Sequence, residues 1–192
     1  MVMDALRAEG PRKAVHLATV CIPLAVWFLP ERLWRWPLVA LTVLVLAIDL
    51  LRLGDPRVRR FFGSLVGPAL RRHEHNELLG SSYLAIGCLL AALVYPRPVA
   101  VAAMGYLILG DGLAGLVGRT LGRHTLAFGK SWEGTVACFA ASLIVGLLVL
   151  GDPRVAVLGA LVATVVELLP LPLDDNLAIP LLCGTVLWWA LL

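Results

Sequence analysis

The chain has 192 residues, of which 60% are hydrophobic and only 15% are charged, and its formal net charge at pH 7 is +3. An ordinary soluble domain carries about a quarter charged residues, so this composition excludes a typical soluble protein and indicates an integral membrane protein. The four cysteines all lie in apolar stretches and form no C-x-x-C pair. We interpret them as small buried side chains rather than as metal ligands or disulfide partners.

Seven apolar segments approach the length that spans a bilayer. They are predicted at 13–29, 36–53, 78–95, 98–117, 132–150, 154–169 and 177–192. Prolines fall near most of their ends, where a residue that cannot continue a helix is expected. No small-x-small cleavage site follows the first segment, so we expect it to be retained rather than removed as a signal peptide. The sequence predicts an all-α polytopic membrane protein with about seven transmembrane helices in a single domain, 1–192.

The distribution of Lys and Arg predicts the orientation in the membrane. If the N-terminus is cytoplasmic and the segments alternate, twelve of the 16 Lys and Arg residues fall on the cytoplasmic side. Such a bias is typical of cytoplasmic loops, and five of the six tryptophans then lie at the outer interface. The cytoplasmic set is Arg7, Arg12, Lys13, Arg52, Arg57, Arg59, Arg60, Arg71, Arg72, Arg119, Arg123 and Lys130.

A carboxylate flanked by glycines lies in the fourth apolar segment, in the run Gly110-Asp111-Gly112. An ionisable side chain in such a segment is usually functional, and glycines let a ligand approach the backbone closely. Helical spacing places Asp111, Gly115 and Arg119 on one face, with Gly118 beside them. The pattern predicts a metal–nucleotide site at the membrane surface. The alternative for Asp111 is a structural ion pair with a neighbouring Arg or Lys.

Cations and a helix start follow this stretch. Arg119, Arg123 and Lys130 supply positive charge suited to phosphate. Ser131 is a natural N-cap of the fifth segment, and Glu133 suits the positive end of its dipole, which is a sufficient structural explanation for both. Gly129 and Lys130 directly before them favour a helix N-terminus that receives a phosphate.

Further acidic residues precede the last segment. The run Asp174-Asp175-Asn176 is either a turn or a metal or general-base group. Glu167 is a second acid inside an apolar segment, and it is either a base for a substrate hydroxyl or a structural partner for an Arg. Mg²⁺ needs few carboxylates when phosphate oxygens complete its shell.

Other polar residues lie near the ends of the apolar segments, and each has a structural interpretation. His16, which lies three residues after Lys13, either lines the same site or ends a polar face. Asp49 is expected to pair with Arg52. The run His73-Glu74-His75 is expected to be a solvated charge cluster rather than a zinc site, because its two His do not share a helical face.

Several motifs in order along the chain resemble the CTP-dependent lipid-alcohol kinases, a family that includes dolichol kinase, phytol kinase and the CTP-using diacylglycerol kinase. This family shares a wider superfamily with the phosphatidate cytidylyltransferases. The motifs are Arg12-Lys13-x-x-His16, Glu77-Leu78-Leu79-Gly80-Ser81-Ser82-Tyr83, Gly110-Asp111-Gly112-x-Ala114-x-x-x-Gly118-Arg119, Gly122-Arg123, Lys130-Ser131-x-Glu133-Gly134, Glu167-x-x-Pro170 and Asp175-Asn176-Leu177-x-Ile179-Pro180-Leu181.

The resemblance implies phosphoryl transfer from CTP, with Mg²⁺, to the hydroxyl of a membrane lipid such as a polyprenol, a phytol-like alcohol or diacylglycerol. Glu133 would order the loop before the fifth segment. The catalytic candidates are Asp111, Lys130, Glu167 and Asp175. The nucleotide-binding candidates are Gly110, Gly112, Gly115, Gly118, Arg119, Arg123, Lys130, Ser131, Glu133 and Asn176. The metal candidates are Asp111, Asp174 and Asp175, and Lys13 and His16 are candidates for lining the site.

Two alternatives stay open at this point. The first is a cytidylyltransferase that makes a CDP-lipid, although the C-terminal Lys-Asp and His-Gly-Gly pattern of those enzymes is absent after Lys130. The second is a small transporter or lipid-binding protein, for which the expected inverted repeat is not evident. The expected partners are a membrane lipid and CTP but no nucleic acid, and no pattern fixes an oligomeric state. We expect a prokaryotic-type inner membrane, with the active site on the cytoplasmic side.

Overall fold

In a computed structural model, the described residues 13–66, 70 and 73–192 are helical almost throughout. Within these ranges there is no β-strand, and the one extended pairing is an isolated bridge between Thr125 and Ser131. The all-α prediction is therefore confirmed for this part of the chain. Four of the cations used to predict the orientation lie outside the described residues, namely Arg7, Arg12, Arg71 and Arg72.

Eight helices follow one another in the described ranges. They are α1 (Lys13–Phe28, with a turn at 19–20), α2 (Glu31–Gly54), α3 (Pro56–Val66), α4 (Gly80–Val94), α5 (Arg97–Thr120), α6 (Trp132–Leu150), α7 (Pro153–Leu168) and α8 (Asp175–Ala190). Each predicted apolar segment overlaps one of these helices. By length and composition, α2, α5 and α6 are sufficient to cross a membrane, and α1 and α4 are shorter apolar helices.

Local residue chemistry sets the helix ends. Ser131 caps α6 by accepting a hydrogen bond from the backbone N–H of Gly134 at 3.1 Å. Asp152 caps α7 in the same way, with Pro153 in the first turn. Gly151 ends α6 in a left-handed conformation, with φ 74°, which glycine adopts without steric cost.

Helix α3 is short and amphipathic and was not predicted as a separate element. Val58, Phe61, Phe62 and Leu65 fall at i, i+3, i+4 and i+7, so they share one face. The guanidinium of Arg59 reaches back to the carbonyl of Leu53 at 2.8 Å and so satisfies the C-terminal end of α2. The alternation of arginines with apolar residues keeps the mean hydropathy of this stretch low, which explains why the search for apolar segments passed over it.

Helix α5 is the centre of the bundle and packs against α1, α4, α6 and α8. Residues 99–104 and 106–108 are buried, and many of them are alanine or other small side chains that allow close helix approach. Tyr106 lies where α6 and α7 meet, and a methyl group added at Gly146 or Gly159 would come within 2.7 Å of its hydroxyl. The core therefore depends on small residues around one large ring.

A buried ion pair confirms the predicted partnership of Asp49 and Arg52. Nε and Nη2 of Arg52 donate to Oδ1 of Asp49 at 2.9 and 2.5 Å, and both side chains are almost fully buried. The guanidinium also donates to the carbonyls of Glu74 and Glu77, each at 2.7 Å. The pair therefore connects the end of α2 to the segment before α4.

The second oxygen of Asp49 is also satisfied. It accepts from the backbone N–H of Leu79 at 2.7 Å and from Oγ of Ser82 at 2.6 Å. The carboxylate of Glu74 is only 3% exposed and accepts from the N–H of Gly80 at 3.1 Å. The expectation that the run around Glu74 is a solvated charge cluster is thus wrong for this residue, because its carboxylate caps the start of α4 from inside the fold.

We expect Arg52→Met to destabilise the protein by about 3–5 kcal/mol, because it leaves a buried carboxylate without its counter-charge. Thermal unfolding in detergent is the measurement, with Arg60→Met, which removes an exposed arginine, as the control. Adding Asp49→Asn to Arg52→Met should restore part of the loss. A double variant less stable than Arg52→Met alone would contradict this explanation.

Candidate functional site

A cleft of about 250 Å³ opens where the C-terminal ends of α5 and α7 meet the N-terminal ends of α1, α6 and α8. Nine of the sixteen residues predicted for the site line it. The lining residues are Lys13, Asp111, Ala114, Gly115, Gly118, Arg119, Phe128, Gly129, Lys130, Ser131, Gly134, Thr135, Glu167 and Asp175.

Asp111 lies on this cleft and is also ion-paired. Nζ of Lys13 donates to Oδ2 of Asp111 at 2.9 Å and lies 3.3 Å from its backbone oxygen. Nε2 of His16 lies 3.6 Å from the same Oδ2. The structure thus places the two predicted lining residues, Lys13 and His16, against the central carboxylate. The lysine needs the space at Gly115, because a methyl group there would lie 2.7 Å from its Cε.

Asp111 ends a π-helical stretch, Tyr106–Asp111, that interrupts α5. One turn of π-helix contains an extra residue and changes which side chains share a face, and such turns are frequent at functional sites. The α-helical spacing resumes at Gly112, so Asp111, Gly115 and Arg119 still face one cavity, as the sequence predicted. The sequence analysis did not predict the π-helix itself.

Lys130 connects three elements at the base of the cleft. Its Nζ donates to Oε1 of Glu167 at 2.6 Å and lies 3.8 Å from Oδ2 of Asp175. Glu167 is 4% exposed, and its other oxygen, Oε2, has no hydrogen-bond partner among the described residues. A buried polar atom without a partner is costly and marks a place where a ligand atom would complete the site.

Burial and the charges of this cluster together shift the pKa values of Lys130 and Asp175. Burial alone would lower the pKa of Lys130, but the hydrogen bond and charge of Glu167, with the charges of Asp175 and Asp111, raise it above its usual value. The lysine therefore stays protonated at neutral pH. Burial raises the pKa of Asp175 to about 6, although Lys130 acts in the opposite direction.

The N-terminal end of α6 borders the same space through Ser131, Gly134 and Thr135. Helices α5 and α6 cross closely there, because both Gly118 and Gly134 lack a side chain. A methyl group at Gly134 would lie 2.7 Å from the carbonyl of Ala114, and one at Gly118 would lie 2.9 Å from Oγ of Ser131. Any larger residue would push the N-terminal end of α6 away from Asp111.

Some of the predicted residues lie beside the cleft without lining it. Gly110 packs against Ser142, Gly112 packs against Leu17, and Arg123 is exposed. These glycines therefore provide room for neighbouring helices rather than for a ligand.

Other predicted residues have a local structural partner. Oε1 of Glu133 is 2.7 Å from Nδ1 of His124, across the loop before α6. Oδ1 of Asp174 accepts from the backbone N–H and the side-chain Nδ2 of Asn176 at 2.9 and 2.7 Å, so Asp174 caps α8. The structure does not bring Asp174 or Asn176 into the cleft.

The described carboxylates of the cleft do not form a metal site by themselves. Within the described ranges no group of three or more His, Cys, Asp or Glu side chains lies close enough to hold an ion unaided. Asp111, Glu167 and Asp175 nevertheless line one cleft, and one buried oxygen of Glu167 has no hydrogen-bond partner among the described residues. Few carboxylates suffice for Mg²⁺ when phosphate oxygens supply further ligands. The arrangement therefore fits an ion that arrives with a phosphate group.

Five of the fourteen lining residues are not among the sixteen candidates. Ala114, Gly129 and Gly134 lie in stretches that the sequence singles out, whereas Phe128 and Thr135 were not predicted. Thr135 follows Ser131 by one helical turn and donates to its carbonyl at 3.0 Å, so helical spacing from Ser131 could have found it. Phe128 is an aromatic residue directly before Gly129 and Lys130, but nothing in its local pattern indicates which way its ring points.

The chain is similar to proteins from several organisms. A phytol kinase of Synechocystis sp. is 30% identical over 94% of this chain and 79% of the relative. An uncharacterized protein of Rickettsia prowazekii is 29% identical over 90% of each chain. The CTP-dependent diacylglycerol kinase 1 of Saccharomyces cerevisiae is 26% identical over 71% of this chain. No family model matches the chain, and no solved structure matches it significantly.

These similarities show the family. The chain spans most of both bacterial relatives but only 48% of the yeast kinase. It belongs to the family of CTP-dependent lipid-alcohol kinases to which its motifs point, and it is thereby a phosphotransferase.

The raised pKa of Asp175 predicts a pH-dependent stability. Its folded pKa of about 6 exceeds the unfolded value of 3.8, so its ionisation disfavours the folded state as the pH rises through about 6. We expect Asp175→Asn to raise the thermal midpoint relative to the wild type more at pH 7.5 than at pH 5. Asp152→Asn, at the cap of α7 on the opposite end of the bundle, is the control. An equal difference at both pH values would contradict the assignment.

Proposed function

We propose that this protein transfers the γ-phosphoryl group of CTP, with Mg²⁺, to the hydroxyl of a membrane lipid alcohol on the cytoplasmic face. The observation that carries the proposal is the cleft in which Lys130, Asp111 and the partly unsatisfied Glu167 meet. Positive charge for phosphates and carboxylates for a metal ion and a proton are the groups that phosphoryl transfer requires. The names of the relatives support the choice of a lipid acceptor and of CTP.

The phosphate-binding groups are Lys130 and Arg119, which line the cleft beside the N-terminal end of α6. The ammonium of Lys130 stays charged because carboxylates surround it, and a helix N-terminus favours an anion. Asp111 and Asp175 are the residues that would hold Mg²⁺ together with phosphate oxygens. The ion would neutralise charge on the phosphates, and the residues named above would hold the phosphates in position.

Glu167 is the proposed acceptor for the proton of the lipid hydroxyl. Its Oε1 is held by Lys130, whereas Oε2 is buried and has no hydrogen-bond partner among the described residues. The lipid oxygen forms a bond to the γ-phosphorus, the bond from that phosphorus to the β–γ bridging oxygen breaks, and CDP leaves. The hydroxyl proton moves to Oε2, so atoms and charge balance.

The proposed placement in the membrane has seven spans, α1, α2, α4, α5, α6, α7 and α8, with the N-terminus in the cytoplasm. Lys13, Asp111, Lys130, Glu167 and Asp175 then share the cytoplasmic end, where a nucleotide is available. The prokaryotic-type inner membrane is the proposed location. The acceptor is proposed to be phytol or a related polyprenol, or diacylglycerol, each of which presents a hydroxyl at the membrane surface.

The reaction is tested with purified protein in detergent, Mg²⁺, lipid alcohols, phosphatidate and CTP labelled at either the α- or the γ-phosphate. We expect the γ label in the lipid, and the labelled product identifies the acceptor. Asp111→Asn should reduce turnover by about 100-fold or more, since it removes a charge that acts on the phosphates. Asp152→Asn is the matched control.

Transfer of the α label would instead indicate a CDP-lipid synthase and overturn the proposal. No transfer of either label, with an active reference kinase in parallel, would favour transport or lipid binding. Full activity of Asp111→Asn would remove Asp111 from the mechanism.

Lys130→Ala should raise the KM for CTP by about tenfold or more, because a hydrogen bond to a charged group contributes about 1.5–3 kcal/mol. Steady-state kinetics at saturating lipid measure the effect, with Arg97→Ala at the far end of α5 as the matched control. An unchanged KM and a normal rate in Lys130→Ala would contradict the phosphate-binding role.

A further inference from the structure

The loop before α6 contains a phenylalanine in an unusual backbone conformation. Phe128 has φ 60° and ψ 24°, and it is the sole non-glycine residue with positive φ among the described residues. Gly129 follows with φ 75°. The two left-handed residues reverse the chain between Thr125 and Ser131, and the N–H of Leu126 donates to the carbonyl of Lys130 at 2.8 Å.

A chain reversal of this kind does not require an aromatic residue at its first left-handed position. Where two consecutive residues are left-handed, Asn, Asp or Gly is strongly preferred at the first position, because a Cβ is strained there. The residue Phe128 is 63% exposed, so packing against the protein offsets little of that strain. An outlier of this kind points to a role for the side chain itself.

The side chain of Phe128 lies beside the candidate site. It lies on the rim of the cleft, two residues before Lys130, and is the one aromatic side chain among the described lining residues. The cleft volume of about 250 Å³ is below the roughly 300–1,000 Å³ of ordinary small-molecule sites. The cleft therefore suits the phosphate end of a nucleotide and leaves the base at the rim.

We propose that Phe128 is a base-binding platform, whose ring stacks on the pyrimidine of a nucleotide that has its triphosphate on Lys130. This inference rests on the proposed function and adds the part of the site that binds the base. Aromatic side chains bind bases through their flat faces with little discrimination between bases. Phe128 thus contributes affinity for the nucleoside, whereas Lys130 binds the phosphates.

The experiment separates the base from the phosphates by comparing CTP with inorganic tripolyphosphate as a competitive inhibitor. Phe128→Asn and Phe128→Gly remove the ring but suit the left-handed turn, whereas Phe128→Tyr keeps the ring. Leu121→Ala is the matched control, since Leu121 belongs to the same loop, is 64% exposed and does not line the cleft. All are assayed as full-length protein in detergent with Mg²⁺ and lipid.

We expect Phe128→Asn and Phe128→Gly to raise the KM for CTP by about tenfold or more, in line with the loss of a stacked base. The inhibition constant of tripolyphosphate and the KM for the lipid should change by less than about twofold. Phe128→Tyr and Leu121→Ala should match the wild type. Phe128→Gly should unfold at a temperature no lower than the wild type, because glycine relieves the strained φ.

Three results would overturn the inference. A parallel rise in the constants for CTP and tripolyphosphate would mean that Phe128 shapes the phosphate site. A rise in the KM for the lipid alone would assign the ring to the lipid, and unchanged constants would remove it from binding.

A measurement without turnover keeps this inference separate from the proposed reaction. Bound CTP raises the thermal midpoint by mass action, and so does tripolyphosphate. The two proposals can then fail separately. If the wild type transfers no γ label, the proposed reaction fails. The base contact still stands if CTP no longer raises the thermal midpoint of Phe128→Asn while tripolyphosphate still does. No shift of the wild type by CTP would overturn the base contact.

Discussion

The ammonium of Lys130 lies between two carboxylates, and the geometry of the cleft depends on this contact. Its hydrogen bond to Glu167 and its proximity to Asp175 tie the loop before α6 to the end of α7 and the start of α8. At the end of an apolar bundle an uncompensated charge is costly, so these groups must meet. The pair of Lys13 and Asp111 joins α1 to α5 in the same way. The charges that suit a phosphorylated ligand are thus also the charges that hold five helix ends together.

Two polar clusters in the described part of the chain differ in how completely their hydrogen bonds are satisfied. Around Asp49 and Arg52, each carboxylate oxygen and each guanidinium nitrogen has a hydrogen-bond partner, so that cluster is complete and holds α2 to the segment before α4. Around Lys130, one oxygen of Glu167 has no partner among the described residues. A complete network stabilises one structure, whereas an incomplete one retains capacity for a ligand. The same residue types therefore form a complete network in one place and leave one carboxylate oxygen unpaired in the other.

The sequence predicted the apolar segments well and the irregular features poorly. The segment 132–150 coincides with α6, and Ser131 caps it as expected, because hydrophobic runs and capping residues are local signals. Helix α3 was missed because arginines alternate with its apolar residues along the sequence and lower the mean hydropathy of the stretch. The π-helix that ends at Asp111 and the left-handed turn at Phe128 were missed for another reason. Both run against local preference, so no pattern of residue types could indicate them.

The sequence by itself determined that this is a helical membrane protein of the lipid-alcohol kinase family, because composition, segment length and ordered motifs are properties of the chain alone. Only the tertiary structure decided which motif residues meet. It brings Lys13 to Asp111 across 98 positions and Lys130 to Glu167 across 37, while Asp174 stays at a helix cap outside the cleft. The physical reason is that such contacts depend on how closely the helices pack, and that distance is set jointly by side chains far apart in the sequence.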